Sequence, residues 1–123
     1  MRTLVRIVVA AMTLLAVAVP AQAGDTEVFE SGPCSRLSHW TLELDLENRI
    51  EADFEGHTPR AGQTWRIVMR HNGSVVWRGT RTTEHDGDFE VDKTVRDRSG
   101  TDTIRVRSVN ERTDEVCKGS ASI

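Results

Sequence analysis

The chain has 123 residues, with 16 Lys and Arg against 19 Asp and Glu, a length that suits one small domain. Its net charge of −3 argues neither for nor against nucleic acid, and we expect no nucleic-acid partner. No serine lies in a G-x-S-x-G context and the glycines form no phosphate-binding loop, so we expect no enzyme.

Residues 1–23 have the organisation of a signal peptide. Two arginines precede an apolar run from Ile7 to Val19, and Ala21-Gln22-Ala23 forms a cleavage site before Gly24. The run is too short for a spanning helix, although an uncleaved anchor is the alternative. We predict a secreted mature chain that begins at Gly24 and has no membrane span. Cleavage would remove Arg2 and Arg6, so the mature chain would have 14 Lys and Arg against 19 Asp and Glu, a net charge of −5.

The mature chain is predicted to consist of a flexible leader, residues 24–33, and a domain, residues 34–123. Its two cysteines, Cys34 and Cys117, lie near the ends of that domain. In an exported protein such a pair indicates a disulfide, and neither a C-x-x-C spacing nor a nearby histidine supports a redox or metal pair. The chain-entropy model gives at most about 4.5 kcal/mol of stabilisation for so long a loop.

Seven short segments of the domain are predicted to be strands. In most of them apolar and polar residues alternate with the period of two that half-buried strands have, and turn residues separate them. In chain order they are SHWTLELDL, RIEADFE, TWRIVMR, SVVWRGT, DFEVDKTV, DTIRVRSV and EVCKGSASI. We predict an all-β fold, a single antiparallel seven-strand β-sandwich of the immunoglobulin or fibronectin III type, closed by one disulfide.

The third and fourth segments form a predicted hairpin around Asn72-Gly73. A two-residue turn would bring Arg78 opposite Ile67, inside the core. A three-residue loop that adds His71 brings Trp77 opposite Ile67 instead and leaves Arg78 outside. A buried unpaired charge costs more than a bulge, so we predict the three-residue loop. The other predicted pairs are Met69 with Val75 and Trp65 with Gly79, and the predicted core tryptophans are Trp40, Trp65 and Trp77.

The strand phases separate the charges. If the first, second and fifth segments share one sheet, its outer surface carries Glu43, Asp45, Glu51, Asp53, Glu55, Glu90 and Asp92. The other sheet would expose Arg66, Arg70, Arg78, Arg105, Arg107 and Lys118. Both surfaces are explained by solvation alone. The functional alternative is that the five arginines bind an anionic partner, since guanidinium groups suit carboxylate and phosphate.

The remaining polar residues provide only weak candidates for chemistry. His39, His57, His71 and His85 are scattered along the chain. His85, Asp86 and Asp88 stand together in EHDGDFE, but a calcium loop needs more oxygen ligands at fixed spacing. We therefore predict no metal site and no cofactor.

Five segments together resemble a family of small exported actinobacterial proteins: CSRLSHWTLEL, AGQTWRIVMRHNG, RGTRTT, GTDTIRVRSVN and EVC. The resemblance covers nearly the whole mature chain, implies an immunoglobulin- or fibronectin-like sandwich, and brings no known activity.

We expect a monomeric, non-catalytic binding module that binds an anionic cell-envelope polymer or protein through the arginines. The alternative is an inhibitor of a secreted hydrolase, which presents an exposed loop such as His57 to Gln63.

Overall fold

The computed structural model describes residues 26–123, which form eight β-strands and no helix. The strands are β1 (Glu27–Pro33), β2 (His39–Leu46), β3 (Arg49–His57), β4 (Thr64–His71), β5 (Ser74–Thr82), β6 (Asp88–Arg96), β7 (Thr103–Asn110) and β8 (Val116–Ser122). The predicted signal segment, residues 1–23, lies outside this range. Within it, no helical segment has the length and apolar character needed to span a bilayer.

Two four-stranded antiparallel sheets form the sandwich. The first has the order β1-β2-β3-β6 and the second the order β5-β4-β7-β8. The predicted division is therefore confirmed: the first, second and fifth predicted segments share one sheet, and the other four share the second. The all-β sandwich is confirmed as well.

The predicted count of seven strands is wrong, because residues predicted to be a flexible leader form β1. This strand pairs with β2 along its whole length, from Glu27 opposite Asp45 to Pro33 opposite His39. It was missed because its alternation is poor. Phe29 points outward and is 61% exposed, whereas Glu30 lies on the inward side. Inward charged residues are common on edge strands, where they discourage pairing with other chains.

The core lies between the sheets and is built from the inward residue of each alternating pair. Trp40 packs against Phe54 and Trp65 against Phe89, with ring centroids 6.4 and 5.2 Å apart. The buried cluster consists of Trp40, Leu42, Leu44, Ile50, Ala52, Phe54, Trp65, Ile67, Met69, Phe89, Val91, Val95, Ile104, Val106, Cys117 and Ala121. Trp40 and Trp65 are core residues as predicted.

The hairpin between β4 and β5 differs from the predicted one. His71 pairs with Ser74, so the turn contains only Asn72 and Gly73, whose φ angles of 47° and 88° suit a type I′ turn. A bulge then leaves Val76 unpaired. The bulge adds the one residue that the three-residue loop was expected to supply. Arg78 therefore still points outward.

The bulge also changes the position of Trp77, which lies opposite Met69 and not opposite Ile67. Trp77 was predicted to be a core residue, but it is only half-buried and packs against the edge of the core cluster. The guanidinium of Arg81 lies 4.7 Å from the centre of its ring. A glycine is needed at position 79, because a Cβ on Gly79 would lie only 2.8 Å from the indole of Trp77.

The predicted disulfide joins Cys34 and Cys117, whose Cα atoms are 4.3 Å apart. Cys34 lies in the β1–β2 connection and Cys117 in β8, so the bond links the two sheets. The two residues are 83 positions apart in sequence. A crosslink across so long a loop restricts the unfolded chain strongly.

Candidate functional site

The five predicted arginines lie exposed on the outward surface of the second sheet. Two come from β4, one from β5 and two from β7, and a lysine of β8 completes the set. Alternate residues of a strand point to one side of its sheet, which places all six cations on the same surface. We define the arginine face as Arg66, Arg70, Arg78, Arg105, Arg107 and Lys118.

The strand register arranges most of these cations in two rows across the sheet. The first row is Arg78, Val68, Arg107 and Lys118. In the next row, Arg70 lies directly opposite Arg105. Side chains directly opposite each other have Cβ atoms about 5 Å apart, where like charges are destabilising. The arrangement therefore costs stability unless an anion neutralises it.

No anion within the described chain does so. Every ion pair among residues 26–123 involves a histidine, and no carboxylate lies within 4.0 Å of a cation of the arginine face. Within this set, the five guanidinium groups are free to form bidentate contacts with an external carboxylate or phosphate, and the Lys118 ammonium adds a point charge. Four of them, Arg70, Arg105, Arg107 and Lys118, line a shallow depression of about 360 Å³ together with Ser120.

The opposite outer surface, on the first sheet, is acidic. The seven carboxylates predicted there all lie on it, and β1 contributes an eighth, Glu27, which pairs with Asp45. We define the acidic face as Glu27, Glu43, Asp45, Glu51, Asp53, Glu55, Glu90 and Asp92. Its only cations among the described strand residues are Arg49 and Arg96, which pair with each other at one end.

Crowding on the acidic face changes its protonation. Burial, followed by the charge of Asp92, raises the pKa of Asp53 to about 6. A side-chain hydrogen bond with Asp92, followed by burial, raises the pKa of Glu90 to about 7. A hydrogen bond with Glu27 is the main cause of the raised pKa of Glu43. The face therefore holds protons more tightly than isolated carboxylates do.

Three of these carboxylates, Asp53, Glu55 and Glu90, have oxygens within 4.8 Å of one another. Carboxylate oxygens suit hard cations, but calcium takes six to eight oxygen ligands, which is more than three side chains offer as single ligands. No other group of potential metal ligands occurs in residues 26–123. His85, Asp86 and Asp88, considered in the sequence, do not form such a group. Asp86 instead accepts a hydrogen bond from the backbone N–H of Asp88 within the turn.

The remaining histidines have structural surroundings. The ring of His57 lies 3.2 Å from Thr41 Oγ1 and 3.2 Å from Asp88 Oδ2, and it stacks on His39 at 4.7 Å. His71 is buried against Asp102.

A second candidate site lies at one end of the sandwich, and the sequence analysis found only one of its two segments. In the connection between β1 and β2, Leu37 is 85% exposed. Its neighbours are held firmly, since the carboxylate of buried Glu115 accepts hydrogen bonds from the N–H groups of Arg36 and Ser38 and from the Ser38 hydroxyl. The disulfide at Cys34 anchors the start of the connection. We call residues 34–38 the Leu37 loop.

A cleft of about 270 Å³ lies beside the Leu37 loop. Its walls include Arg112 and three residues of the predicted inhibitor loop His57 to Gln63, namely Pro59, Arg60 and Gln63. The hydroxyl of Thr58 donates a hydrogen bond to the carbonyl of Gly87, which fixes the start of the loop His57 to Gln63. The sequence signal for the site was only an isolated leucine between a cysteine and the first predicted strand.

Comparison with known proteins finds no significant similarity: no family model, curated protein or solved structure matches the chain. The resemblance to exported actinobacterial proteins therefore stays a prediction.

Proposed function

We propose that this chain is an exported, non-catalytic β-sandwich module, of the immunoglobulin or fibronectin-like type, that binds an anionic polymer or protein of the cell envelope through its arginine face. The observation that carries the proposal is six cations on one sheet surface with no carboxylate partner inside the described chain. The disulfide fits export, because such bonds persist in oxidising compartments. The grouping of strands fits a fibronectin-like sandwich.

The binding would be electrostatic and would use a broad charged surface instead of a deep pocket. A surface of arginines in a shallow depression offers guanidinium forks and no deep apolar pocket, so it suits a repeating anion better than a small apolar ligand. Attraction of this kind weakens as salt shortens the screening distance, from about 30 Å at 0.01 M to about 8 Å at 0.15 M. Retention at low salt and release by added salt are therefore the expected behaviour.

The test uses immobilised polyphosphate and immobilised polyglutamate as phosphate and carboxylate polymers. A mature chain with 14 Lys and Arg against 19 Asp and Glu should be repelled by both unless its cations act locally. We expect the wild type to be retained at low salt and released by salt. Combined substitution of Arg66→Gln, Arg78→Gln and Arg105→Gln should abolish retention.

A matched control removes the same charge elsewhere. Arg49→Gln, Arg96→Gln and Arg98→Gln change three exposed arginines that lie outside the arginine face. This control should be retained like the wild type, because the local face and not the net charge decides binding. A wild type that passes through both matrices, or equal retention of the two triple variants, contradicts the proposal.

The Leu37 loop supports a second candidate function, inhibition of a secreted hydrolase. An exposed apolar side chain on a loop that a disulfide and a buried carboxylate hold rigid is preorganised to enter a pocket of a partner. Preorganisation favours binding because little conformational freedom remains to be lost. This observation is independent of the arginine face.

The second candidate is tested with purified subtilisin-like and chymotrypsin-like proteases. The wild type should slow hydrolysis of a peptide substrate, and Leu37→Asp should abolish the effect. Val75→Asp is the matched control, since Val75 is another exposed apolar residue, 45% accessible, in a different part of the molecule. No inhibition by the wild type, or equal inhibition by Leu37→Asp, removes this candidate and leaves the arginine face untouched.

A further inference from the structure

The two outer surfaces of the sandwich carry opposite charge on the same geometric pattern. Both are four-stranded antiparallel sheets, with strands about 4.8 Å apart and side chains of one surface about 6.8 Å apart along a strand. The cations of the arginine face and the carboxylates of the acidic face therefore occupy similar grids. If one surface is laid on the other, a guanidinium can meet a carboxylate at several neighbouring positions.

Each face is electrostatically unfavourable alone. On the acidic face, Asp53 lies directly opposite Asp92 and Glu55 directly opposite Glu90. On the arginine face, Arg107 lies directly opposite Lys118. Contact with the opposite charge would relieve both repulsions.

The faces also carry exposed apolar side chains. Of the three large apolar residues that are exposed in the described chain, Phe29 pairs with Glu43 on the acidic face and Val75 pairs with Arg70 on the arginine face. Directly paired residues point to the same side of a sheet. Each face thus offers apolar area whose removal from water would add to the electrostatic attraction.

We propose that the arginine face of one copy of this chain docks on the acidic face of a second copy. The inference rests on the proposed function, since it names an acidic protein surface as the partner of the same arginines. A contact between two different surfaces leaves one of each free on every pair of copies, so it does not stop at a dimer. Because the two faces lie on the opposite outer sides of the sandwich, further copies would add end to end.

The association should be weak. A face of four strands and about seven residues covers on the order of 450 Å², less than the roughly 800 Å² per partner of a stable complex. Charged surfaces also lose their attraction in salt. The chain should therefore be the monomer predicted from the sequence at high ionic strength and associate at high protein concentration in low salt.

The test uses two variants with complementary defects. The first neutralises three of the six cations of the arginine face through Arg66→Gln, Arg78→Gln and Arg105→Gln. The second, called below the variant without the acidic face, neutralises three of the eight carboxylates of that face through Glu43→Gln, Glu51→Gln and Glu55→Gln. All six side chains lie on outer surfaces, and melting curves will verify that both variants fold.

Sedimentation equilibrium of the full mature chain measures the association. For the wild type at about 0.01 M salt, the weight-average mass should rise with concentration beyond that of a dimer, and it should return to the monomer mass at about 0.5 M. Each variant alone should remain monomeric. An equal mixture should form a dimer and stop there, because the second variant still has the arginines and the first still has the carboxylates.

Three results would overturn the inference: a monomeric wild type at low salt, undiminished association of the variant without the acidic face, or a mixture that does not dimerise. The polymer-retention assay separates these failures from failure of the proposed function. The variant without the acidic face should bind polyphosphate at least as well as the wild type. If it does while the wild type stays monomeric, only the self-association is wrong.

Discussion

His71 and Asp102 form a buried hydrogen-bonded pair that joins the end of β4 to the connection before β7. The imidazole Nε2 contacts Asp102 Oδ1, and each side chain is only 1% exposed. The same carboxylate accepts a hydrogen bond from the backbone N–H of Arg98, and the backbone of Asp102 pairs with Ile123 in both directions. One acidic residue therefore holds three segments together at this end of the sandwich.

The variant Asp102→Ala should lose this anchoring. Removing the carboxylate leaves the buried imidazole and the Arg98 N–H without their hydrogen-bond partner, and leaving a buried polar group unsatisfied costs about 1–3 kcal/mol. We expect a loss of that size in the free energy of unfolding, measured with a chemical denaturant. Asp97→Ala, an exposed residue in the same connection, is the control and should change stability by no more than about 0.5 kcal/mol. Similar midpoints for the two variants would show that the pair contributes little.

The same pair shows where prediction from the sequence was limited. The period of two identified seven of the eight strands and the side of its sheet that each residue faces, because both depend on local alternation. The division into two sheets, and with it the two charged surfaces, came from the assumed fibronectin-like arrangement and not from the alternation. The position of His71 depended on whether the hairpin gained its extra residue in the loop or in a bulge at Val76. Both solutions keep Arg78 outside, so the local pattern did not distinguish them. Only the three-residue loop makes His71 a loop residue, whereas the bulge at Val76 leaves it in β4.

The Leu37 loop was missed for a different reason. Its rigidity comes from Glu115, which lies 77 residues from Ser38 in the sequence and reaches it only in the folded chain. A buried carboxylate that accepts backbone hydrogen bonds has no local sequence signature. Similarly, β1 was overlooked because an edge strand buries little and needs no regular apolar pattern.

Two tryptophans of the hairpin should differ in their contribution to stability. Trp65 is fully buried and contacts Phe89, so Trp65→Ala should cost about 3–5 kcal/mol. Trp77 is half-buried under Arg81, and Trp77→Ala should cost clearly less. Denaturant titrations of both variants provide the comparison. Equal losses, or a larger loss at Trp77, would show that the observed register at the bulge is wrong.

Reduction of the disulfide should destabilise the protein without destroying the order of the sheets. The chain-entropy model gives at most about 4.5 kcal/mol for a loop of 83 residues. Strain and residual structure lower this figure, so we expect the melting temperature to fall by several degrees or more in reductant. The double variant Cys34→Ser with Cys117→Ser should melt like the reduced wild type and should not respond to reductant. Two titratable thiols in the native oxidised protein would contradict the assignment.

The raised pKa values of the acidic face determine how stability should change with pH. Asp53 titrates near pH 6 in the folded chain against an ordinary value of 3.8, and Glu90 near pH 7 against 4.5. Between the ordinary and folded values the folded state binds more protons than the unfolded state, so stability decreases as pH rises. The contribution is fully present below about pH 4 and is lost as pH passes through about 6 and 7.

Removal of the Asp53 charge should therefore stabilise the protein in alkaline solution and matter less in acid. We expect Asp53→Asn to melt a few degrees above the wild type at pH 8 and close to it at pH 4.5, where Asp53 is already protonated. Melting temperatures across this range give the difference between the two curves, which isolates this carboxyl from other titrating groups. Asp97→Asn is the control, and its melting temperature should change with pH in the same way as that of the wild type. A constant offset for Asp53→Asn, or one that grows in acid, would show that repulsion on the acidic face does not control its protonation.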